Sequence, residues 1–353
     1  MNQNESNPIS LADIARIARV SMTTVSLVLR DMGNISLGTR NRVRKIAQEL
    51  GYRPNLAASL LARQSQNHIV PSIPVALIGM GTKRPRPIAS IPFLNAFSEY
   101  ATKIGFHVIE PESADYADIH ALIRILYFRG VRGIIFNHDF DVSQITEKEA
   151  ANFSFLFYGQ SLSDHRFHRV GSEVFESTRL LWETAWERGY RRIGTILCRH
   201  KAYLQDDFAR EDAVLGCQIR HHAARIPSFT GGHSDYAEIV EWVKKVRPDA
   251  VISFNGAIQA YLQEAGFKIP EDIALSTMHL HKDDNFITGF YQDYDELARV
   301  AAHQVETMIC HNETGFPARP RSLLVAPVYR EGQTLPPVVS LPTNFKKRSA
   351  PKR

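Results

Sequence analysis

The chain has 353 residues, more than the ~100–200 residues of one ordinary domain, so we expect at least two domains. No apolar run approaches the ~18–20 residues of a membrane helix, the first ten residues lack the features of a secretory signal, and three scattered cysteines exclude a disulfide framework. These features favour a cytoplasmic protein without a membrane partner. The net charge of +5 is uneven, because residues 1–66 and 346–353 each carry +5 and the stretch 67–345 carries −5. The basic ends are therefore expected to meet a polyanion; the alternative for the tail is a disordered solubilising end.

The pattern of the first 62 residues predicts a compact helical unit. Apolar residues in the first segment recur at the spacing of one helix face, and Ser10 with Asp13 forms a capping box before it. Ser21 is placed to cap a second helix, and Gly51 with Pro54 ends a third. The three predicted helices cover residues 11–18, 22–30 and 39–50.

Two short helices joined by a tight turn and followed by a third form a helix-turn-helix, whose second helix fits the DNA major groove. Hydroxyl groups on that helix reach base edges or phosphates, and Met22 or Leu27 fits against a thymine methyl group. Ser21 and Thr39 are candidate phosphate anchors at helix N-termini. The pattern alone leaves a second interpretation open, a three-helix unit with a solvated basic face. The positions of the second helix expected to face DNA are Met22, Thr23, Thr24, Ser26, Leu27 and Arg30.

Strand and helix patterns alternate from residue 73 onward over ~250 residues, which predicts parallel sheets covered on both faces. Because this length exceeds one usual domain, we expect an α/β body of two Rossmann-like lobes behind the small all-α head. The predicted strands cover residues 74–80, 106–111, 131–137, 153–159, 191–197, 249–254, 272–278 and 322–330. The predicted helices cover residues 93–104, 119–128, 173–188, 208–221, 236–245, 257–264 and 294–309.

Residues 10–62 closely resemble the head of the lactose-repressor (LacI) family. That family reads T-x-x-D-I-A-x-x-A-G-V-S-x-x-T-V-S-x-V-L-N, then V-S-x-x-T-R-x-x-V, then L-G-Y-x-P-N-x-x-A-x-x-L. The resemblance implies a transcriptional regulator, expected to be a repressor, that binds a pseudo-palindromic double-stranded operator as a homodimer. The matching residues are Asp13, Ile14, Ala15, Ala18, Val20, Ser21, Thr24, Val25, Ser26, Val28, Leu29, Ser36, Thr39, Arg40, Val43, Leu50, Gly51, Tyr52, Pro54, Asn55, Ala58 and Leu61.

The resemblance also implies a hinge helix after Pro54. In that family the helix folds only on operator DNA, and paired hinge helices insert a leucine into the minor groove; the matching leucine is Leu61, with Asn55 and Ala58 beside it. A short apolar helix without a core gains stability from a partner helix, and a leucine wedge unstacks a base step. The predicted DNA contacts further include Leu11, Asn34 and Ser36.

Two residues of the head depart from the family pattern. Arg19 stands where the family has glycine, and Leu27 stands where a polar or basic residue is usual. We therefore expect a base preference that differs from that of a regulator with arginine at the second position.

The body resembles the family's effector domain, which is itself similar to periplasmic sugar-binding proteins. For example, Ile91-Pro92-Phe93 resembles N-P-F-F, and residues 189–193 resemble G-H-R-R-I. The resemblance implies a cleft for a small effector, a sugar or another metabolite, at the C-terminal ends of the strands. The candidate effector contacts are Phe93, Arg210, Asn255 and His279.

The effector region departs from the family more seriously than the head does. Gly256 follows Asn255 where the family commonly has aspartate, and Thr277-Met278-His279 replaces G-Y/F-D. Carboxylates bind sugar hydroxyls well because each accepts two hydrogen bonds, so these losses weaken the prediction of an ordinary sugar effector. Arg210 has the alternative of a surface helix arginine, and His279 that of an ordinary loop histidine.

The sequence predicts no enzyme, cofactor or metal centre. The cluster of His279, His281 and Asp283 lacks the second ligand pair that a zinc site needs, and no nucleophile elbow, phosphate loop or complete dinucleotide fingerprint is present. Two alternatives remain: a regulator with a degenerate ligand cleft, and a solute-binding module, against which the head counts. The predicted domains are the head 1–54, the hinge and linker 55–72, the effector-binding and dimerisation body 73–345 and the basic tail 346–353.

Overall fold

The computed structural model describes the greater part of the chain as two compact units. The first unit lies within residues 1–158, 166–168 and 298–320, and the second within residues 159–165, 169–297 and 321–353. The described residues are 9–29, 35–50, 52, 73–79, 91–111, 116, 118–137, 141–159, 165–198, 204–231 and 235–340.

The described part of the head contains the helices α1 (Leu11–Ala18), α2 (Met22–Leu29) and α3 (Leu37–Glu49). The capping box before α1 is confirmed, because Ser10 Oγ accepts a hydrogen bond from the Asp13 N–H at 3.3 Å and the Asp13 carboxylate accepts one from the Ser10 N–H at 3.0 Å. Arg19 ends α1 in the left-handed region with φ 52°, which makes the turn into α2. The buried head core comprises Ile14, Ala15, Ala18, Val25, Val28, Leu29, Val43, Ala47, Tyr52 and Phe128.

The start of α3 differs from the prediction. The helix begins at Leu37 rather than Thr39, because Ser36 is the N-cap and its Oγ accepts a hydrogen bond from the Thr39 N–H at 3.4 Å. A side chain that satisfies an otherwise unpaired N–H of the first turn fixes the start of a helix. Arg30, the predicted end of α2, lies outside the described residues.

Strands and helices alternate through the body, as predicted. The strands are β1 (Ile73–Ile78), β2 (Phe106–Ile109), β3 (Gly133–Phe136), β4 (Ser154–Tyr158), β5 (His168–Ser172), β6 (Ile193–Cys198), β7 (Phe229–Gly231), β8 (Ala250–Ser253), β9 (Ala274–Leu280), β10 (Thr288–Tyr291), β11 (Ser322–Val325) and β12 (Val328–Arg330). The helices are α4 (Ile91–Lys103), α5 (Ile119–Phe128), α6 (Glu147–Ala150), α7 (Val174–Glu187), α8 (Leu204–Arg220), α9 (Tyr236–Val246), α10 (Ile258–Glu264), α11 (Tyr294–Cys310) and a 3-10 turn at Val338–Ser340. None of these described helices combines the length and apolar character needed to cross a membrane.

Two six-stranded sheets form the α/β body. The strand orders are β11-β5-β4-β3-β1-β2 and β12-β10-β9-β8-β6-β7. In the first sheet β1 runs parallel to β2 and β3, β3 to β4, and β5 to β11. The second sheet is parallel except for β12, which runs antiparallel to β10. Every residue of β3 and β8 is buried, as is expected for parallel strands covered by helices on both faces.

One edge of the second sheet is of functional interest. Strands β6, β8 and β9 lie side by side and run in the same direction, so their C-terminal ends meet at one edge. Open α/β sheets bind ligands outside the carboxyl ends of their strands. This edge positions two of the candidate effector residues, Asn255 and His279.

The predicted final strand at residues 322–330 is wrong as one element. It is divided into β11 in the first sheet and β12 in the second, with Ala326 and Pro327 between them. Pro327 lacks the N–H that a continuous ladder requires. Strands β5, β7 and β10 were not predicted, because each is short and either contains polar residues or lacks a regular alternation.

Candidate DNA interface and effector site

Helix α2 has one buried face and one face toward solvent. Val25, Val28 and Leu29 are buried in the head core, whereas Met22 is 58% exposed and Thr23 is also exposed. The remaining predicted contacts on α2 are half-buried: Thr24, Ser26 and Leu27. The exposed face is therefore accessible to the bases in a DNA groove, and the buried face packs the helix against the rest of the head.

Hydroxyl pairs lie at the N-termini of α2 and α3. Ser21 Oγ accepts a hydrogen bond from the Thr24 N–H at 3.0 Å, and the two hydroxyl oxygens are 2.8 Å apart. In the same way, the Ser36 hydroxyl donates to Thr39 Oγ1 at 3.0 Å. These side chains stand at helix ends whose N–H groups and dipoles favour anions, which is the environment a DNA phosphate needs.

The described cations of the head lie on α1, at its C-cap and on α3, and not on the described part of α2. Arg42 and Lys45 are exposed on α3, and Lys45 is 3.8 Å from Glu49 in a solvent-exposed pair. Arg40 is half-buried, and its Nε donates to the Ile35 carbonyl at 3.2 Å. Such surface cations attract the DNA backbone regardless of sequence.

The other predicted DNA contacts are only partly described. Leu11 is half-buried and packs against the head core, so its side chain stabilises the head as well as lying at the start of α1. Five predicted residues lie outside the described residues: Arg30, Asn34, Asn55, Ala58 and Leu61.

Arg210 and Asp207 form a buried ion pair near the start of α8. Arg210 Nη1 lies 3.2 Å from Asp207 Oδ1, and each side chain is only 5% exposed. Burying two charged side chains costs free energy unless the charges pair and form hydrogen bonds. The contact between Arg210 and Asp207 therefore helps both side chains to stay buried in the protein. The interpretation of Arg210 as a surface helix arginine is therefore wrong.

Two rings complete the cluster around Arg210. Its Cζ lies 5.2 Å from the centroid of the Phe254 ring, and its Nη2 lies 3.5 Å from His279 Nε2. The rings of Phe254 and His279 are themselves 4.6 Å apart between centroids. Because Phe254 follows β8 and His279 is near the end of β9, the cluster stands at the C-terminal edge of the second sheet.

The missing carboxylate at Gly256 has a structural counterpart. A Cβ atom at Gly256 would lie 3.0 Å from Ile287 Cδ1 and 3.9 Å from Asp284 Oδ2. Asp284 is held there by its other oxygen, which accepts a hydrogen bond from the Ile287 N–H at 3.1 Å. Asn255 is half-buried beside this point, and its Oδ1 accepts from the Ala257 N–H at 3.1 Å. A carboxylate therefore lies close to where the family's aspartate would stand, although it comes from the segment between β9 and β10.

Phe93 belongs to the first unit and is fully buried. Its ring stacks on Tyr158 with centroids 3.7 Å apart and planes 16° from parallel. Tyr158, at the end of β4, retains some exposure. A direct contact between Phe93 and an effector stays a prediction.

Sequence reasoning missed three members of these groups. Asp207 stands three residues before Arg210, a spacing that places both on one side of a helix, and this signal was present. For Phe254, the only available signal was its position at the end of a predicted strand, where ligand contacts are expected. Asp284 follows Asp283 in the sequence, and two adjacent acids do not by themselves indicate a ligand site. Across the described ranges, no three His, Cys, Asp or Glu side chains come together as a metal site would require.

Protein-family models match both parts of the chain. Residues 10–55 match "Bacterial regulatory proteins, lacI family", and residues 183–333 match "Periplasmic binding protein-like domain". Among curated relatives, the HTH-type transcriptional regulator AglR of Rhizobium meliloti is 27% identical over 305 residues, covering 79% of this chain and 81% of the relative. Catabolite control protein A of Staphylococcus xylosus is 24% identical over 287 residues, covering 76% and 81%.

Solved structures share the fold. A lac repressor dimer bound to operator and an anti-inducer superimposes with a TM-score of 0.58 at 18% identity, covering 94% of this chain and all of that one. A LacI-family regulator from Enterococcus faecium with bound ribose gives 0.59 at 17% identity, covering 75% of this chain and 99% of that one. The match of the head, the match of the body and the names of the relatives all indicate a transcriptional regulator rather than an enzyme. The chain is a DNA-binding transcriptional regulator whose head matches the lacI family of bacterial regulatory proteins and whose body matches the periplasmic binding protein-like domain.

Proposed function

We propose that this chain binds a pseudo-palindromic operator as a homodimer and represses transcription there. The observation that carries the proposal is α2, which the head core holds by Val25, Val28 and Leu29 while its other face stays exposed. Two such heads in a dimer reach successive major grooves when their half-sites lie about one helical turn, ~34–36 Å, apart. The solved lac repressor dimer on its operator supports the same arrangement.

Operator binding by the head also fits the distribution of charge. Residues 1–66 carry +5 and residues 67–345 carry −5, so the basic end meets DNA while the acidic body is repelled from it. A DNA-bound regulator acts where the chromosome is, which makes the cytoplasm the proposed compartment. The proposed domains are a head at 1–54, a hinge and linker at 55–72, a body at 73–345 and a tail at 346–353.

A small effector is the second part of the proposal. The residues proposed to contact it in the second unit are Arg210, Asn255 and His279, and the Arg210–Phe254–His279 cluster supports a site at the edge where β8 and β9 end. Ribose in the Enterococcus faecium regulator and cellobiose in the regulator CelR support sugars as the first class of effector to test. An effector that binds one state of the dimer better would shift the spacing of the heads and so release or fix them on DNA.

One observation favours a second candidate, a regulator that ignores small molecules. Gly256 and His279 stand where the family commonly has carboxylates, and among the described residues Asp284 supplies a carboxylate near the first of these positions. Fewer acceptors bind a polyhydroxylated ligand less tightly. The solute-binding alternative has no comparable support, because such a receptor has no use for a helix-turn-helix.

The operator can be found by selecting duplexes from a random pool with the purified full-length chain. We expect a palindromic consensus that also maps to fragments bound in the genome, and Leu61→Ala should weaken consensus binding far more than binding to random duplex. A pool that shows no enrichment over bulk competitor at moderate salt would contradict the proposed function. Equal losses on both DNAs would contradict the wedge role of Leu61 alone.

The effector proposal is tested by thermal unfolding of the full chain with ribose, cellobiose and a panel of sugars and metabolites. We expect at least one compound to raise the unfolding temperature and to change operator affinity, since a ligand that binds the folded state stabilises it by mass action. His279→Gln should remove the rise, whereas His311→Gln, at an exposed position of the first unit, should keep it. Operator binding that no compound alters would support the effector-independent candidate.

A further inference from the structure

The described part of α2, the helix proposed to enter the major groove, has no charged side chain. From Met22 to Leu29 the sequence is MTTVSLVL, and its most exposed large side chain is Met22 at 58%. Regulators that recognise guanine use arginine or lysine, whose donors match both guanine acceptors in the major groove. The described segment of α2 offers no such side chain.

The hydroxyl groups on α2 do not replace that specificity. Ser21 and Thr24 bind each other at the helix N-terminus, with 2.8 Å between their oxygens. Thr23 and Ser26 lie nearer the middle of the exposed face, but serine and threonine hydroxyls bond to either kind of base. They help to hold the helix in the groove without deciding between bases.

Met22 and Leu27 lie on the two sides of this face. At about 100° per residue, Met22 and Leu27 are separated by about 140° around the helix axis, with Thr23 and Ser26 between them. In the major groove the only apolar mark on a base edge is the C5-methyl group of thymine. An apolar side chain on each side of the face suits two thymine methyls at different base steps.

We propose that this regulator reads its operator through thymine methyl groups that pack against Met22 and Leu27. The proposal rests on the proposed operator binding and adds to it the chemistry of recognition. It predicts operator half-sites with thymines at the contacted positions, and it makes Met22 and Leu27 the specificity-determining residues of α2.

The test uses the duplex selected from the random pool, with thymines replaced one at a time by uracil, which lacks only the methyl group. With the wild-type chain we expect about fourfold weaker binding at the contacted thymines, the ratio that corresponds to burying one methyl group, and no change at thymines in the flanks. Because the readout needs no protein variant, a failure to fold cannot obscure it.

Protein variants then assign each methyl to its side chain. Met22→Ala should abolish the uracil effect at one position and Leu27→Ala at another, while Leu27→Arg should shift the preference at its position toward guanine. Ile17→Ala, which truncates an exposed apolar residue of α1, should retain every uracil effect. Tight binding of the selected duplex with no thymine sensitive to uracil would overturn the methyl proposal and leave the operator function standing, whereas a pool that yields no consensus would overturn both.

Discussion

Asp207 and Arg210 form a buried ion pair beside the candidate effector site. Replacing Asp207 by alanine would leave the guanidinium of Arg210 buried without the carboxylate 3.2 Å away. Breaking one side of a buried ion pair costs about 3 kcal/mol or more, so we expect Asp207→Ala to lower the free energy of unfolding by at least that amount. Urea unfolding of the full-length chain measures it, with Asp212→Ala, an exposed acid on the same helix, as the matched control. Equal urea midpoints for the two variants would show that the pair contributes nothing.

The burial of Arg210 was beyond the reach of sequence reasoning for a physical reason. Helix α8 carries large apolar residues on both faces: Phe208 and Ile219 are 50% and 59% exposed, while Val214 and Cys217 are buried. A helix without a clear polar stripe does not reveal which side meets the core. The sequence suggested Arg210 as a candidate ligand contact. Its burial and its contact partners could not be predicted, because they depend on how α8 packs against the rest of the second unit.

Cys217 is expected to be inert. Burial raises the pKa of its thiol to about 11, and its side chain has no exposed surface, whereas Cys310 is exposed. The thiolate is the reactive form, so iodoacetamide at pH 8 should alkylate Cys310 in the folded protein and reach Cys217 only in urea. Peptide mapping of a Cys198→Ser variant, which reduces the readout to these two thiols, makes the comparison. Alkylation of Cys217 at the rate of Cys310 under native conditions would contradict the expectation.

The helices of the head were the elements that the sequence predicted best. Their signals are local: a capping box at Ser10 and Asp13, a cap at Ser21 and an apolar face of helical period. The start of α3 was misplaced because Ser36 and Thr39 are both good caps, and the sequence does not say which one leaves the helix. Where local chemistry has one solution, the sequence is sufficient.

Strands that depend on distant partners were harder to predict. Strand β5 has the sequence HRVGS, and His168 and Arg169 are buried in it although their residue types favour the surface. The ladder of β5 with β11 joins segments about 150 residues apart, and no local pattern records that pairing. The division of residues 322–330 likewise depends on distant partners, because β11 pairs with β5 in the first sheet and β12 pairs with β10 in the second.

An ion pair ties the end of α7 to the segment after β12, and it should make stability depend on pH. Hydrogen bonds from Arg188 hold the pKa of Glu331 below its usual value of 4.5, with Arg188 Nη2 2.6 Å from Glu331 Oε2. A lowered carboxyl pKa stabilises the fold above the pKa of the unfolded chain, and the benefit is lost as the pH falls through the folded value. Because Glu331 is 57% exposed, the contribution should be about 1 kcal/mol or less.

The variant Glu331→Gln isolates this contribution. Its urea midpoint should lie below that of the wild type at pH 7, and the two midpoints should converge as the pH falls through the lowered pKa of Glu331 in the folded protein. Glu271→Gln, at an exposed acid of the second unit, provides the control for removing a charge. If the difference in urea midpoint between the wild type and Glu331→Gln did not change as the pH was lowered, the loss of stability would come from the shape of the side chain and not from its charge.

At the scale of the molecule, recognition of DNA and the proposed sensing of an effector depend on separate parts of the chain. The proposed DNA-contacting surface is formed by three short helices with exposed hydroxyl and apolar side chains, and the candidate effector cluster is at a strand edge of the second unit. Regulation requires that a change in one part alter the other, and this needs an element that contacts the head. In the first unit, α5 is such an element.

The end of α5 closes the core of the head. Phe128 is 8% exposed and belongs to the same buried cluster as Ile14, Val25 and Val43, and the Tyr127 hydroxyl donates to the Tyr52 carbonyl. Truncating a buried phenylalanine costs about 3 kcal/mol or more, so Phe128→Ala should loosen the packing of the head. Hydrogen–deuterium exchange of the amides in α1–α3 should become at least severalfold faster, because local opening governs their protection.

The control for this variant is Phe175→Ala, which removes a 41% exposed ring of the second unit and should leave exchange in the head unchanged. If α5 helps to hold the head, Phe128→Ala should also weaken operator and random-duplex binding by a similar factor, because the loss is one of folded heads and not of base contacts. Unchanged exchange in α1–α3 would show that the head core is complete without α5, and the coupling element would then have to be sought in the hinge.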